Sequence, residues 1–267
     1  MLTALVRELD EGFAPTRAES RHLPPNAHLR REQRYLHETL EACGVRAAAV
    51  GAASSPDDLR ILAGTLVLDE VLFAPACRAA NDPLVEWLAR GRDLVSPVSP
   101  GLLDGRNVLA VDRRLFLGVP EGTPASTFRA AARTVAAYGY EVAPVPLSGC
   151  DHLRQVSSYV GRGIVLADPR HVEPRAFGDL DVLAVGGREP FAASVLFADP
   201  IVIVSSLAAR EAVAHRGLPW TSVSLRTHTR AMIAISELAI IIDVVDDDES
   251  PTSFAQSVGV SRSSRVL

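Results

Sequence analysis

The sequence predicts an α/β protein built from repeated strand–strand–helix–strand modules, and three observations carry that prediction. Helix-type segments begin near residues 27, 83, 126 and 206, separated by one or two multiples of about 40–55 residues. Short apolar, β-branched runs fill the intervals between them. No shift of composition marks a domain boundary before Asp243. A supersecondary unit repeating at this period is the mark of ring-like arrays. Taken alone, the periodicity says only α/β.

The elements follow in order. Residues 3–6 read as a first strand, followed by an arginine-bearing loop over 7–25. Asn26 is placed to cap a helix over 27–43, with Leu29, Tyr35, Leu36 and Leu40 near helical spacing and Gly44 as the stop. A strand over 45–50 comes next, then a hairpin of 61–68 and 71–74 around Asp69-Glu70. Asp82-Pro83 starts a short helix to about Arg90. A turn-rich loop over 101–107 leads into paired strands 108–111 and 115–119. Ser126 is expected to cap a helix over 127–138 that Gly139 ends. Strands are expected at 142–145, 163–167, 182–185, 194–197 and 201–204, with a weaker helical or turn segment over 169–177. Ser206 caps a last helix to about Arg216, ahead of a strand over 220–224.

Composition narrows the function. With 48% hydrophobic residues, the longest apolar runs are still far short of a membrane span. The first residues lack a basic start followed by a long apolar core, so a secretory signal is not expected. Cys43, Cys77 and Cys150 form no CxxC pair, which fits a cytoplasmic protein with free thiols. The net charge of −5 is spread along the chain and argues against a nucleic-acid surface. All 27 basic residues are arginine. That excludes a Schiff-base lysine, hence pyridoxal-phosphate chemistry, and a Walker A loop. No metal or cofactor is expected. Residues 1–245 read as one domain, and 246–267, opening on DDDES, as a solvated, disordered tail; binding of a partner by that tail is the alternative.

The stretch from Pro144 to Gly161, PVPLSGCDHLRQVSSYVG, carries the chemistry. A strand-like run ends at Ser-Gly, His152 follows, and a further extended segment starts at Val156. Gly149, His152, Leu153, Arg154, Tyr159 and Gly161 match a segment G-x-x-H-L-K-[ST] that leads into Tyr-x-Gly. This resembles the histidine segment of the pentein superfamily, as it stands in the dimethylarginine dimethylaminohydrolases, and the likeness extends over about residues 2–242. It implies an α/β-propeller of five pseudo-symmetric ββαβ modules around a central channel, with His152 as the general acid/base.

Other segments resemble the family with altered residues. Leu103-Asp104-Gly105-Arg106-Asn107-Val108-Leu109 is similar to L-[DE]-G-G-D-V-L. There Asp104 matches the acid that orients the histidine, and Asn107 replaces an aspartate. The plain alternative for Asp104-Gly105 is a favoured turn pair. Pro56 to Ala63 is similar to P-D-x-x-F-V-E-D, with Asp57 kept but Leu62-Ala63 where a Glu-Asp pair would grip a guanidinium. Thr123 lies in the segment 118–124, where Gly122 stands in place of the arginine that holds a substrate carboxylate; the family's other substrate arginine falls near Ala74, and Arg60 and Arg78, close in sequence, are the residues that could compensate. Ala234-Ile235-Ser236 aligns with C-x-S, so alanine occupies the position of the nucleophilic cysteine. Cys150, two residues from His152, is the one thiol near the histidine.

These readings disfavour a guanidino hydrolase, which needs a thiolate to form its covalent intermediate. Two readings remain. One is an enzyme acting on a non-guanidino small molecule through Cys-independent chemistry of His152 and Asp104 (elimination, cyclisation, isomerisation or hydrolysis), in bacterial specialised metabolism, with Asp57, Arg60, Asn107, Thr123 and Ala234 around the substrate. The other is an inactive member of the fold that binds a metabolite or a protein. The expected partner is a small-molecule ligand, with a homodimer compatible with either reading, and neither nucleic acid nor membrane is expected.

Overall fold

The computed structural model describes residues 2–10, 13, 26–53, 58, 62–74, 83–96, 102–187, 189–230 and 232–243. The expected positions Asp57 and Arg60, and the tail, lie outside these residues. Among the described residues, fifteen strands form five three-stranded sheets. Each sheet has an inner strand antiparallel to a middle strand, and an outer strand parallel to the same middle strand.

The first sheet orders β15 (Ala239–Asp243), β1 (Leu2–Leu9) and β2 (Arg46–Ala53), with α1 (Asn26–Ala42) crossing between β1 and β2. The chain's last described strand thus closes its first module. The second sheet holds β3 (Leu66–Val67), β4 (Val71–Phe73) and β5 (Asp93–Val95), crossed by α2 (Pro83–Leu88). The third holds β6 (Val108–Val111), β7 (Arg114–Pro120) and β8 (Glu141–Leu147), crossed by α3 (Ala125–Ala136). The fourth is β9 (Ser157–Tyr159), β10 (Ile164–Ala167) and β11 (Asp181–Ala184), joined through the 3₁₀ turn Pro174–Phe177. The fifth is β12 (Leu196–Ala198), β13 (Ile201–Val204) and β14 (Trp220–Ser222), crossed by α5 (Leu207–His215). Parallel strands need such crossovers, because a two-residue turn cannot return the chain in the same direction. Two short helical turns, α4 (Leu153–Val156) and α6 (Arg226–Arg230), lie outside this repeat.

Helix faces seal the first, third and fifth modules from outside. Leu29, Leu36 and Leu40 of α1 pack on Ala4, Val6 and Ala53. Ala131 and Val135 of α3 pack with Leu115 and Leu117, and Ala209 and Val213 of α5 with Val202 and Val204. Tyr35, expected on the inner stripe, is 49% exposed. It precedes Leu36 by one residue, a rotation of about 100° around the helix, which takes it off the stripe that residues 29, 36 and 40 define. The start of α3 also differs from expectation. Pro124 is the N-cap and Ser126 sits inside the first turn. The fixed φ of proline makes that site a ready helix entry. The hairpin expected over 61–68 shortens to β3, because 62–64 are helical. Ser206 caps α5 as expected, accepting from Ala209 N at 3.0 Å.

The five inner strands face one another across the ring axis. A cavity of about 260 Å³, partly open to solvent, is lined by residues from all five: Leu66 and Val67, Val108 to Ala110, Ser158 and Tyr159, Leu196 and Phe197, and Ile240 to Ile242. Among the described residues, no helix is long and apolar enough to cross a membrane.

Candidate active site

Three turns, distant in sequence, meet at one end of this channel. The first follows Asp104. Its backbone is extended, and its carboxylate caps the 3₁₀ turn Gly105–Asn107 by accepting from Arg106 N at 2.8 Å. The same carboxylate takes a fork from the Arg106 side chain, with Nε donating to Oδ1 at 2.9 Å and Nη2 to Oδ2 at 2.6 Å. Both side chains are largely buried, so this is a desolvated bidentate pair. Burial works against the Arg106 cation, yet Asp104, Glu237 and Asp151 together push its pKa up. Gly105 is required here by close approach: a Cβ would lie 2.4 Å from Thr65 O and 2.7 Å from Ala63 O.

Asn107 ends the first turn and joins it to the second. It is 1% exposed. Its Nδ2 donates to Gly118 O at 2.6 Å, and its Oδ1 accepts from Leu153 N at 3.3 Å. Leu153 opens α4, whose N–H groups have no helical partner of their own. Asn107 therefore braces the backbone immediately after His152. Glycine at 118 makes room for this, since a Cβ there would lie 2.2 Å from Asn107 Oδ1.

The second turn carries His152, half-buried, as the extended N-cap residue of α4. The preceding Gly149 adopts φ +65°, where the chain leaves β8. Ser157 closes the far end of α4 by donating from Oγ to Leu153 O at 3.0 Å. The sequence suggested only extended backbone from Val156 on; the helical turn before it is a finding of the structure.

The third turn is Ile235–Glu237, capped by Ala234. It is sewn to the His152 turn. Gln155 Nε2 donates to Glu237 Oε1 at 3.1 Å, and Ser236 Oγ donates to Arg154 O at 3.1 Å. Ser194 Oγ donates to Ser236 Oγ at 2.9 Å, and Glu237 Oε2 accepts from Ala234 N at 3.3 Å. Ala234 is 1% exposed.

The structure thus brings the segments of Asp104, Asn107, His152 and Ala234 together. Thr123 lies in the turn between β7 and α3, where its hydroxyl donates to Pro120 O at 2.7 Å. Leu62 and Ala63 are buried beside the same end of the channel, ahead of β3. Arg106, Arg154, Gln155 and Glu237 were not singled out from the sequence as site residues. Arg106 fills a position where the family pattern has glycine, and that departure was the available signal.

Cys150 is half-buried, and burial, with added repulsion from Asp151 and Asp168, pushes its thiol up to about 11. At neutral pH it is a thiol, not the thiolate that acts as a nucleophile.

No protein family profile matches this chain, and no curated protein matches it. Solved structures do. Dimethylarginine dimethylaminohydrolase from Pseudomonas aeruginosa, a serine-for-cysteine mutant complexed with citrulline, superposes with a TM-score of 0.74 at 18% identity, covering 90% of this chain and 98% of that one. The N-terminal domain of ArgZ, a cyanobacterial arginine dihydrolase, gives 0.72 at 17% identity, covering 90% and 98%. The amidinotransferase SxtG from Microseira wollei gives 0.70 at 14% identity, covering 93% and 96%. The ring of five ββαβ modules described above is the pentein fold, shared with dimethylarginine dimethylaminohydrolase.

Proposed function

We propose that this protein is an enzyme acting on a non-guanidino small molecule by acid/base chemistry at His152, without a cysteine nucleophile. The observation that carries the reading is the bracing of the His152 turn. Asn107 holds it from one side and the 234–237 turn from the other, while the residue at 234 is alanine. A general acid/base must be held within hydrogen-bond reach of its proton, and such bracing supports that requirement. Histidine titrates near neutral pH and so serves in both directions. In this reading Asp104 is the acid partner of His152, and Arg106 fixes that carboxylate. Asn107 supports the turn, and Asp57, Arg60 and Thr123 contribute to the substrate side. The buried, apolar Leu62 and Ala63 offer no carboxylate to a guanidinium. Citrulline is bound by the Pseudomonas relative, and saxitoxin biosynthesis is the setting of SxtG; a role in specialised metabolism fits a fold used in that way.

One observation favours the second reading, a binding module without turnover. Arg106 bonds to both oxygens of Asp104, the carboxylate that the enzyme reading gives to His152. Incubation of wild type and His152→Ala with a bacterial metabolite extract, followed by mass spectrometry, separates the two. The enzyme reading expects at least one compound consumed by the wild type and spared by the variant, with a rate loss of about 10²–10⁴. Equal consumption, or none by either protein, moves the chain to the binding class.

A further inference from the structure

We propose that the axial cavity is a binding site for a small organic anion, a carboxylate with an apolar body, docked on the guanidinium of Arg154. The cavity is lined by the five inner strands, mostly by residues of apolar type although more polar than apolar surface faces it, and among its lining residues Arg154 is the single charged one. The other polar side chains whose bonds are resolved there are spent on backbone. Ser158 Oγ accepts from Val195 N at 3.0 Å, and Tyr159 OH accepts from Gly163 N at 3.2 Å. Arg154 differs. It is half-buried, and no described carboxylate lies within ion-pair distance of its guanidinium. Asp104 is held by Arg106, while Glu237 receives Gln155 and the Ala234 N–H; both act on Arg154 only from further off.

Physical chemistry then sets the ligand class. An arginine remains charged, so it cannot escape a poorly solvated position by losing its proton. Burial depresses the Arg154 pKa, with Glu237 and Asp104 opposing that effect. A cation in such a place gains most from an anion that brings matched acceptors, and the planar fork fits a carboxylate through two parallel bonds. A second cation would meet repulsion. Leu, Val, Ile and Phe side chains on the wall supply part of the contact, and a volume of about 260 Å³ falls just below the usual range for drug-sized ligands, roughly 300–1,000 Å³. A short branched aliphatic or a monocyclic aromatic acid fits these terms. The site stands whether or not His152 turns the ligand over, since none of its parts depends on proton transfer.

The test is calorimetry and saturation-transfer NMR on the full chain at pH 7, with phenylacetate and 4-methylpentanoate as probes and their neutral amides as controls. At least one acid is expected to bind about tenfold or more tightly than its amide. Arg154→Gln is expected to remove that preference, Arg154→Lys to keep part of it, and His152→Ala to leave it unchanged. Acid and amide binding equally, an unaltered preference in Arg154→Gln, or no binding of either acid at about 10 mM overturns the proposal. Should Arg154→Gln fail to fold by circular dichroism, the acid-against-amide comparison on the wild type decides alone. Loss of binding in His152→Ala would tie the cavity to the acid/base site and contradict its independence.

Discussion

Replacing Glu32 by glutamine perturbs a buried knot that holds the final turns in place. Glu32 lies on α1 and is 8% exposed. Its carboxylate accepts from Thr227 N at 2.8 and 3.0 Å, from His228 N at 3.1 Å and from His228 Nδ1 at 2.9 Å. It thereby satisfies the opening N–H groups of α6 and orients a histidine that is 0% exposed. Burial alone would raise the Glu32 pKa, but the bonds from His228 and Thr227 outweigh it and lower the value from 4.5 to about 2. That difference is worth roughly 3 kcal/mol of folding stability. Glutamine keeps the shape but offers one acceptor oxygen and turns an amide N–H₂ toward the remaining donors. The loss should therefore approach the same roughly 3 kcal/mol. For a chain of this length each kcal/mol moves Tm by about 2–4 °C, so the expected drop is about 6–12 °C. The sign with pH follows from the lowered value. The stabilisation is complete above the ordinary 4.5 and is lost as pH falls toward about 2. Urea unfolding of both proteins at pH 7 and at about pH 3 measures this: the gap between them should narrow in acid. A gap below about 0.5 kcal/mol at pH 7, or one that widens in acid, refutes the reasoning.

Three further outcomes follow from close contacts. Gly105→Ala should lower stability by about 1–3 kcal/mol or more, because the added methyl meets two backbone carbonyls; an unchanged urea midpoint would contradict it. Asn107→Ala should cost about 1–3 kcal/mol and accelerate hydrogen exchange at the Leu153 amide, which NMR reads residue by residue; exchange at the wild-type rate would remove Asn107 from its bracing role. Cys150 should be alkylated slowly at neutral pH. A thiol near 11 rather than 9.0 has about a hundredfold less thiolate, and rapid labelling in peptide mapping would show the thiol to be activated after all.

The crossover helices α1, α2, α3 and α5 were legible because each announces itself locally, through apolar spacing and through breakers such as Gly44 and Gly139, whereas the single turns α4 and α6 are too short for spacing to register. The inner strands were harder. β3 and β9 hold only two and three residues, too short for alternation to register, and β15 pairs with β1 across almost the whole chain. Sequence patterns do not encode such pairings. At the site, His152 and Asp104 could be picked out by resemblance, and the turn character of Asp104-Gly105 by composition. The fork from Arg106 to Asp104 could not, since it depends on how a long side chain folds back over its own turn. The Glu32–His228 knot spans 196 residues and joins two helices that nothing local connects. Both residues read as ordinary polar positions until the fold brings them together.

The central claim is that this site has left guanidine chemistry, and restoring the thiol tests it most directly. Purified Ala234→Cys protein, with wild type and an Ala234→Cys/His152→Ala double variant as controls, is assayed for citrulline from arginine and methylated arginines. The account predicts none. Leu62 and Ala63 supply no acid for the guanidinium, and each lost charged partner weakens binding by roughly 2–5 kcal/mol, about tenfold for every 1.4 kcal/mol. Citrulline formed by the single variant and abolished in the double variant would contradict the account.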